Sequence, residues 1–405
     1  MNLSHKIRLN PTRDQEQYFR KACGISRKAY NWALEQWKLQ YKAEGKPSVF
    51  GLDKLLNSIK KEEFPWMYES PSCVPQHAIA DLGKAFKNFF HKTTKYPVFK
   101  KKGKRDSFYL TNQVFKIKKN QIKVPKLGWV KMYEPLRFEG KIMSAVVSRT
   151  ADRWFVAITV DLENLPTVCE SQETVGIDLG INKLAVLSNG EVFEPPRALY
   201  RYERKLKKLH RRLAKKHKKT RNRAKARMKL SKLYYRIKCI RDDFAHKMTT
   251  YIVKNFGLIV IEDLHVKGMV KNHCLAKAIM DKAWSEIRRQ LEYKALLCGS
   301  GLKVVSRWFP SSKLCSSCGW KNDKLTLKDR MFVCEQCGLK IDRDLNAALN
   351  LKLSGTGCLP ETEDPLDLKI KPVEIMSDSL RRATVCEAGR LIQPTDCKVS
   401  LAIFD

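Results

Sequence analysis

At 405 residues the chain has room for about two to four domains with cores of their own, and 43% hydrophobic and 9% aromatic residues are usual for a globular protein. The charge is not usual: 79 Lys and Arg against 42 Asp and Glu leave a net +37, which self-repels unless a polyanion, normally nucleic acid, neutralises it. No apolar run approaches the length of a spanning helix, and Met1-Asn2-Leu3-Ser4-His5-Lys6-Ile7-Arg8 lacks a signal-peptide stretch, so a membrane partner is not expected and a cytoplasmic, nucleoid-associated location is.

The alternating His5–Leu9 segment predicts a first strand. Residues 11 to about 93 then follow helical spacing, with Tyr18, Phe19, Ala22, Trp32 and Trp37 in one run and Leu82, Phe86 and Phe90 in another over Ile79–Phe90. Lys46-Pro47-Ser48 and Glu69-Ser70-Pro71 break the runs. From Tyr96 the period shortens. Val114–Val124, Ile142–Arg149 and Trp154–Leu162 alternate, the last two across a turn at Thr150–Arg153, which predicts a small antiparallel sheet or barrel with the helical region inserted after its first strand. Lys92–Arg105 is a basic cluster in which Tyr96 and Phe99 are read as core rings, with base stacking as the other possibility.

An α/β order begins at Val175. Strands are expected at Val175–Asp178, Leu184–Ser188 and Glu191–Phe193, the last two joined by an Asn189-Gly190 hairpin turn. Helices fill Ala198–Asn255. A buried strand is expected at Leu258–Glu262, a helix at Ala276–Cys298, a strand at Leu302–Phe309 and a closing helix at Asp344–Leu353. From Gly355 onward nine acids outnumber six Lys and Arg and periodicity fades, as in a flexible tail.

Three features carry chemistry. Between Arg201 and Arg241 there are 20 Lys and Arg and one acid, Glu203, while Leu206, Leu209 and Leu213 share one helical face and Leu230, Leu233, Tyr234 and Ile237 another. That pattern predicts a helical hairpin with an apolar seam and a cationic exterior; a merely solvated face would mix signs. Cys315-Ser316-Ser317-Cys318-Gly319 and Cys334-Glu335-Gln336-Cys337-Gly338 form C-x2-C-x15-C-x2-C, two knuckles whose four thiolates would close a tetrahedral zinc site. The thirteen cysteines, an odd number unevenly spread, fit reduced thiols and a metal better than a disulfide framework. Finally, Asp178 and Glu262 each follow a buried run, and Asp344 opens the last helix. In a ribonuclease H-like sheet the first and fourth strands lie side by side, so these carboxylates would converge on two Mg2+ or Mn2+ ions that activate water on a phosphodiester. Asp342 is the alternative third acid.

With these residues on view the chain resembles the TnpB (OrfB) family, transposon-encoded RNA-guided nucleases related to small type V CRISPR effectors. The resemblance covers nearly all of residues 1–353. It rests on His5–Thr12, Tyr30–Leu34, Pro125–Val130, Phe244–Lys247, Ala283-Trp284, Arg289–Lys294, Phe309–Ser312, both knuckles and Asp342-Arg343-Asp344. It implies a wedge-type β-barrel (1–10 and 95–168), a helical recognition lobe (11–94), a RuvC-like nuclease domain (169–307 and 342–355), a zinc-ribbon target-nucleic-acid-binding module (308–341) and a tail (356–405). The family's catalytic, metal-holding positions fall on Asp178, Glu262 and Asp344, without the loss of acids seen in relatives that act as repressors.

The resemblance also implies a prokaryotic protein that takes one transposon-end-derived guide RNA per protein and cuts double-stranded target DNA beside a short transposon-adjacent motif. Gln76 and Thr111 fall at polar positions near that motif in the family. Lys100, Lys101, Lys102, Arg211, Arg212, Lys215 and Lys216 are the expected backbone contacts. The alternative is an RNA-guided regulator or transposition accessory protein without significant cleavage. A strand-transfer transposase is less well matched, because the chain has no nucleophilic Tyr paired with His-x-His. One wording departs from the family: Ala283-Trp284-Ser285 stands where Gly-Trp-Gly or a similar small-Trp-small run is more usual, which is read as a change of helix surface.

Overall fold

A computed structural model describes residues 1–162, 171–326 and 328–357, and the backbone of 385–388. The boundary read at 168/169 and nearly all of the tail read at 356–405 lie outside the described residues. The chain forms two compact units, one up to residue 162 with 385–388, the other over 171–357. Among the described residues no helix is long and apolar enough to cross a membrane.

In the first unit β1 (Asn2–Asn10) is followed by three α-helices and a short 3-10 helix (Pro65–Glu69) before the sheet resumes. Thr12 caps α1 (Arg13–Lys42) in a reciprocal box with Gln15, satisfying two end donors at once. Ser48 caps α2 (Val49–Glu63), and α3 (Cys73–Phe90) packs back on α1. The strands are β2 (Ser107–Thr111), β3 (Lys116–Lys118), β4 (Gln121–Val124), β5 (Gly128–Met132), β6 (Lys141–Thr150) and β7 (Arg153–Asp161). They pair in an open antiparallel path, β2-β6-β7-β1-β5-β4-β3, with β1 lying against β7 from Asn2 to Leu9. Helices and strands share one apolar core in which the Phe19 ring meets Trp154 at 5.1 Å and Phe108 at 5.8 Å.

The second unit begins with β8 (Thr174–Asp178), β9 (Ala185–Leu187) and β10 (Val192–Phe193), the last two turning at Gly190 with φ +90°. Then come α4 (Ala198–Ala214), α5 (Arg221–Asn255), β11 (Leu258–Glu262), α6 (Val266–Met269), α7 (His273–Lys282), α8 (Trp284–Cys298), β12 (Gly301–Val305), β13 (Met331–Val333), β14 (Lys340–Asp342) and α9 (Arg343–Thr356). The strand read at Leu302–Phe309 stops at Val305, because Ser306–Phe309 turns back through a Phe309 N–H to Ser306 carbonyl bond of 3.0 Å. The helix read at Ala276–Cys298 is two helices, broken at Ala283.

Five of these strands form one sheet in the order β10-β9-β8-β11-β12, and β13 and β14 pair separately. β8, β11 and β12 are parallel, and β9 is antiparallel to β8. The central strands are apolar throughout because both faces are covered. Val175, Ile177, Ile259 and Ile261 pack under α5 and α8, while Val260 faces Leu351 of α9. A short β15 (Val385–Ala388) pairs in parallel with Leu3–Lys6 in the first unit.

Gly176 sets how closely α9 can approach the sheet. A Cβ there would stand 2.0 Å from the Ala348 carbonyl oxygen and 2.5 Å from the Lys352 nitrogen. Both obstacles are helix backbone, so α9 must lift away as a body. Gly176→Ala is therefore expected to cost about 1–3 kcal/mol or more in urea-unfolding midpoint analysis. A loss below ~0.5 kcal/mol would show that α9 does not lie where described.

Candidate active site and cysteine ribbon

Asp178 ends β8 and Glu262 ends β11, and these strands are parallel neighbours, so both carboxylates leave the same edge of the sheet. Asp344 lies in the first turn of α9. The nearby alternative, Asp342, is occupied: its Oδ1 accepts the Asp344 and Leu345 N–H groups at 3.0 and 3.2 Å, and its Oδ2 accepts from Lys183 Nζ at 3.0 Å. Burial works against the charge of Asp342, but these bonds outweigh it and hold its carboxyl below the ordinary range. It is a helix cap, which leaves Asp344 as the open acid.

Burial, followed by the charges of Asp344 and Glu262, pushes the Asp178 carboxyl up to about 7. Arg343 offsets part of that rise. Burial also raises Glu262, with the neighbouring Asp263 adding to it. The carboxylates around Asp178 form a set short of positive charge, since Asp344 and Glu262 raise it beyond what burial does. Hard oxygen donors in such a set fit Mg2+ or Mn2+.

Asp263 does not join them. Burial pushes it up, yet hydrogen bonds from Arg307 and Arg288 prevail and hold it low. The arginine pairing of Asp263 leaves Glu262, the acid expected from the sequence, as the one without such a partner among the hydrogen bonds described. Beside Glu262 opens a cleft of ≈ 330 Å³, lined among others by Trp284, Ser285, Arg288 and Arg289.

The four predicted cysteines converge, with all ligand atoms within 4.8 Å of one another. Cys315 and Cys337 sulfurs are 3.6 Å apart and Cys318 and Cys334 3.5 Å, far longer than a disulfide. Each knuckle turns on a glycine of positive φ, Gly319 at +79° and Gly338 at +74°, whose N–H bonds the Cys315 or Cys334 carbonyl. The Leu339 N–H holds the Cys337 thiol down to about 7, although desolvation opposes it. A four-thiolate set of this shape fits zinc.

Two buried asparagines of α9 tie this ribbon to the carboxylates. Asn346 accepts from the Ser316 N–H and donates to the Leu314 carbonyl, while Asn350 donates to the Ser311 and Leu314 carbonyls. Sequence reasoning missed both, though their spacing on one face of the last helix was the available signal.

The basic hairpin forms as expected from α4 and α5, with Leu206, Leu230, Leu233 and Ile237 buried in its seam. Tyr234 is not in the seam: it is 45% exposed and hydrogen-bonds His210 at 2.8 Å. Arg211, Arg212, Lys215 and Lys216 are exposed, as are Lys101, Lys102 and Gln76; Thr111 is half-buried at the end of β2. Lys100 is different. Its ammonium sits 3.9 Å from the Tyr30 ring centre and 3.9 Å from Asp81, and burial lowers its pKa. It braces its own unit. The rings read as core, Tyr96 and Phe99, are each nearly half exposed, with Lys38 over both and Tyr96 edge-on to Phe86 and Phe89.

Ala283 corrects another expectation. It is a left-handed junction, φ +55° and ψ 37°, between α7 and α8, not a residue on a helix surface. An L residue there costs about 1–2 kcal/mol, which explains why a small residue suits the place. Ala283→Gly is expected to raise stability by up to about 1 kcal/mol after its own entropy cost. A thermal midpoint unchanged or lowered would contradict the strain.

Fold and site together define a class: an α/β protein with Asp178 and Glu262 ending neighbouring parallel strands and a cysteine ribbon clamped to its last helix. The chain belongs to the TnpB (OrfB) family. Residues 157–273 match the OrfB family profile described as a probable transposase, and 284–351 match a Cas12f1-like TNB domain. Residues 1–46 match a profile described as a helix-turn-helix domain, although here they form β1 and one unbroken helix. A "Putative RNA-guided DNA endonuclease" of Streptomyces pristinaespiralis is 38% identical over 86% of this chain and 88% of its own. InsQ of Escherichia coli K12, with the same description, is 33% identical over 92% and 97%. Among solved structures, CasPhi-2 (Cas12j) bound to crRNA aligns at TM-score 0.45 and 10% identity, over 90% of this chain and 99% of that one.

Proposed function

We propose that this protein is an RNA-guided DNA endonuclease of a transposon with a RuvC-like nuclease domain. The observation that carries the reading is that Asp178 and Glu262 end neighbouring parallel strands, with Asp344 of α9 near enough that it and Glu262, after burial, raise Asp178 to about 7. The family relatives carry the matching description.

Asp178, Glu262 and Asp344 would hold the divalent cations. The chemistry supplied there, when the ions are bound, is activation of water and stabilisation of the leaving oxygen of a phosphodiester. The residues of the chain divide the remaining work. Lys183 and Asp342 fix the first turn of α9, and with it Asp344. Arg288 and Arg307 occupy the Asp263 carboxylate with hydrogen bonds. The cysteines hold a structural zinc that keeps the ribbon in shape. A guide RNA from the transposon end lies along the basic hairpin, one protein to one RNA. Gln76 and Thr111 face the motif beside the target.

The deciding experiment is to purify the protein from cells carrying its transposon and sequence the RNA that comes with it. A defined transposon-end transcript that directs Mg2+-dependent cutting of matching double-stranded DNA is the expected result. Heterogeneous cellular RNA, or a defined RNA without cutting, would defeat the reading, the second case favouring a regulator. Alanine at Arg211, Arg212, Lys215 and Lys216 together should flatten the slope of log affinity for RNA against log salt by up to about 3, as four lost phosphate contacts require. An unchanged slope would remove the hairpin from the RNA path.

A further inference from the structure

Trp308 is 86% exposed, more than any other large apolar side chain among the described residues. Its exposure does not come from a loose loop. On one side Arg307 is ion-paired to Asp263. On the other, Phe309 is 5% exposed and packs on Val260, Val305 and Leu351 in the core. Ser306 closes the turn, accepting from the Trp308 N–H through Oγ and from the Phe309 N–H through its carbonyl. Pro310 and a Ser311 N–H to Phe309 carbonyl bond of 2.8 Å follow. The backbone under the indole is thus pinned on both sides while the ring is left in water.

The place is as informative as the exposure. Val305 is the register partner of Glu262, and its carbonyl accepts the Asp263 N–H at 2.9 Å. Trp308 lies three residues further on, so at most about 10 Å of extended chain separates it from that partner. It follows the carboxyl end of β12, the same strand end at which the neighbouring β11 delivers Glu262. An exposed aromatic face on a fixed backbone is how unpaired nucleic acid is gripped without regard to sequence, since every base has a face to stack. A paired duplex offers no free base face to such a ring.

We propose that Trp308 is a substrate-binding residue that stacks on an unpaired base of the DNA strand being cut, within a few nucleotides of the scissile phosphate. This deepens the proposed function and rests on it. The ring fixes where along the strand the phosphate lies, so its loss acts mainly on KM for the strand and on the spread of cut positions.

The test uses the intact protein–guide RNA complex. Trp308→Ala and Trp308→Leu should each lower kcat/KM for cleavage of a guide-matched target roughly five- to 150-fold, the range expected of one base–aromatic stack, while Trp308→Phe stays within about threefold of wild type. RNA content and thermal midpoint should not change in any variant, since the side chain stands almost wholly in solvent. A direct reading comes from the Asp178→Asn complex, where adding matched target DNA should quench indole emission by an amount absent from the Asp178→Asn, Trp308→Phe complex. Equal cleavage by wild type and Trp308→Leu would overturn the inference and leave the nuclease reading standing. So would a Trp308-dependent quench already complete before DNA is added, which would put the ring on guide RNA. No cleavage by the wild type would defeat the nuclease reading, and the quench experiment would still decide whether the ring meets a DNA base.

Discussion

Asp178→Asn is expected to reduce target cleavage at least about a thousandfold, a loss of roughly 4 kcal/mol or more in transition-state stabilisation, while leaving guide RNA bound. The same change should make the metal-free protein more stable at alkaline pH. The sign follows from the direction in which the carboxyl moves. Asp178 has a folded pKa of about 7 against an ordinary 3.8, so its contribution to stability is complete below pH 3.8 and is lost as pH rises through about 7. Above that pH, ionised Asp178 faces Glu262 and Asp344 with little compensation. Removing its charge relieves a penalty of at most about 4 kcal/mol, since each pH unit between the folded and unfolded values is worth roughly 1.4 kcal/mol.

Mg2+ should cancel the same penalty by binding. At pH 8, in the presence of a chelator, Asp178→Asn should melt above wild type; with millimolar Mg2+ wild type should gain and the variant should not. A wild-type midpoint indifferent to both pH and Mg2+ would mean that the three acids are not a cation site. Retained cleavage in the variant would mean that the nuclease centre lies elsewhere.

How far the sequence leads is clearest where it stops. β8 and β11 are legible because strands covered on both faces are apolar from end to end, and a charge closing such a run is conspicuous. The hairpin of α4 and α5 is legible because leucines at helical spacing survive inside a run of basic residues. Spacing alone does not rank Asp342 and Asp344, and only the family resemblance favours Asp344, since a cap and an open acid look alike until Lys183, 159 positions away, is seen on one of them. Lys100 reads as a surface cation because sequence cannot show Tyr30 and Asp81 closing around it. Ala283 reads as helix surface because backbone handedness leaves no mark in hydrophobic period. Trp308 draws no notice because an aromatic beside Phe309 looks like core, and only burial separates the two rings.

Removing the metal from the cysteine ribbon is expected to disable a nuclease centre to which it contributes no ligand. The ribbon has a small apolar core of its own, with Phe332 fully buried beside Cys315 and Cys334. Such a module depends on its metal, and structural zinc sites of this kind contribute about 10–16 kcal/mol of apparent binding energy to folding at neutral pH. The coupling to the acids runs through α9. Asn346 and Asn350 bond the 311–316 segment, and Arg343, next to Asp344, donates to the Thr326 carbonyl and to Ser312 Oγ.

When the knuckles open, those buried amides lose their partners at about 1–3 kcal/mol each, and the first turn of α9 loses its outer wall. Cys334→Ser should therefore lose bound zinc, shed the ribbon's protection from proteolysis and lower cleavage at least about a hundredfold. Guide RNA on the basic hairpin should remain. Asn350→Ala should leave zinc in place yet reproduce part of the cleavage loss, because it severs the clamp alone. Full activity in a zinc-free Cys334→Ser protein would show that the ribbon serves the strand and not the carboxylates. Zinc loss together with RNA loss would show instead that the ribbon holds the whole unit together.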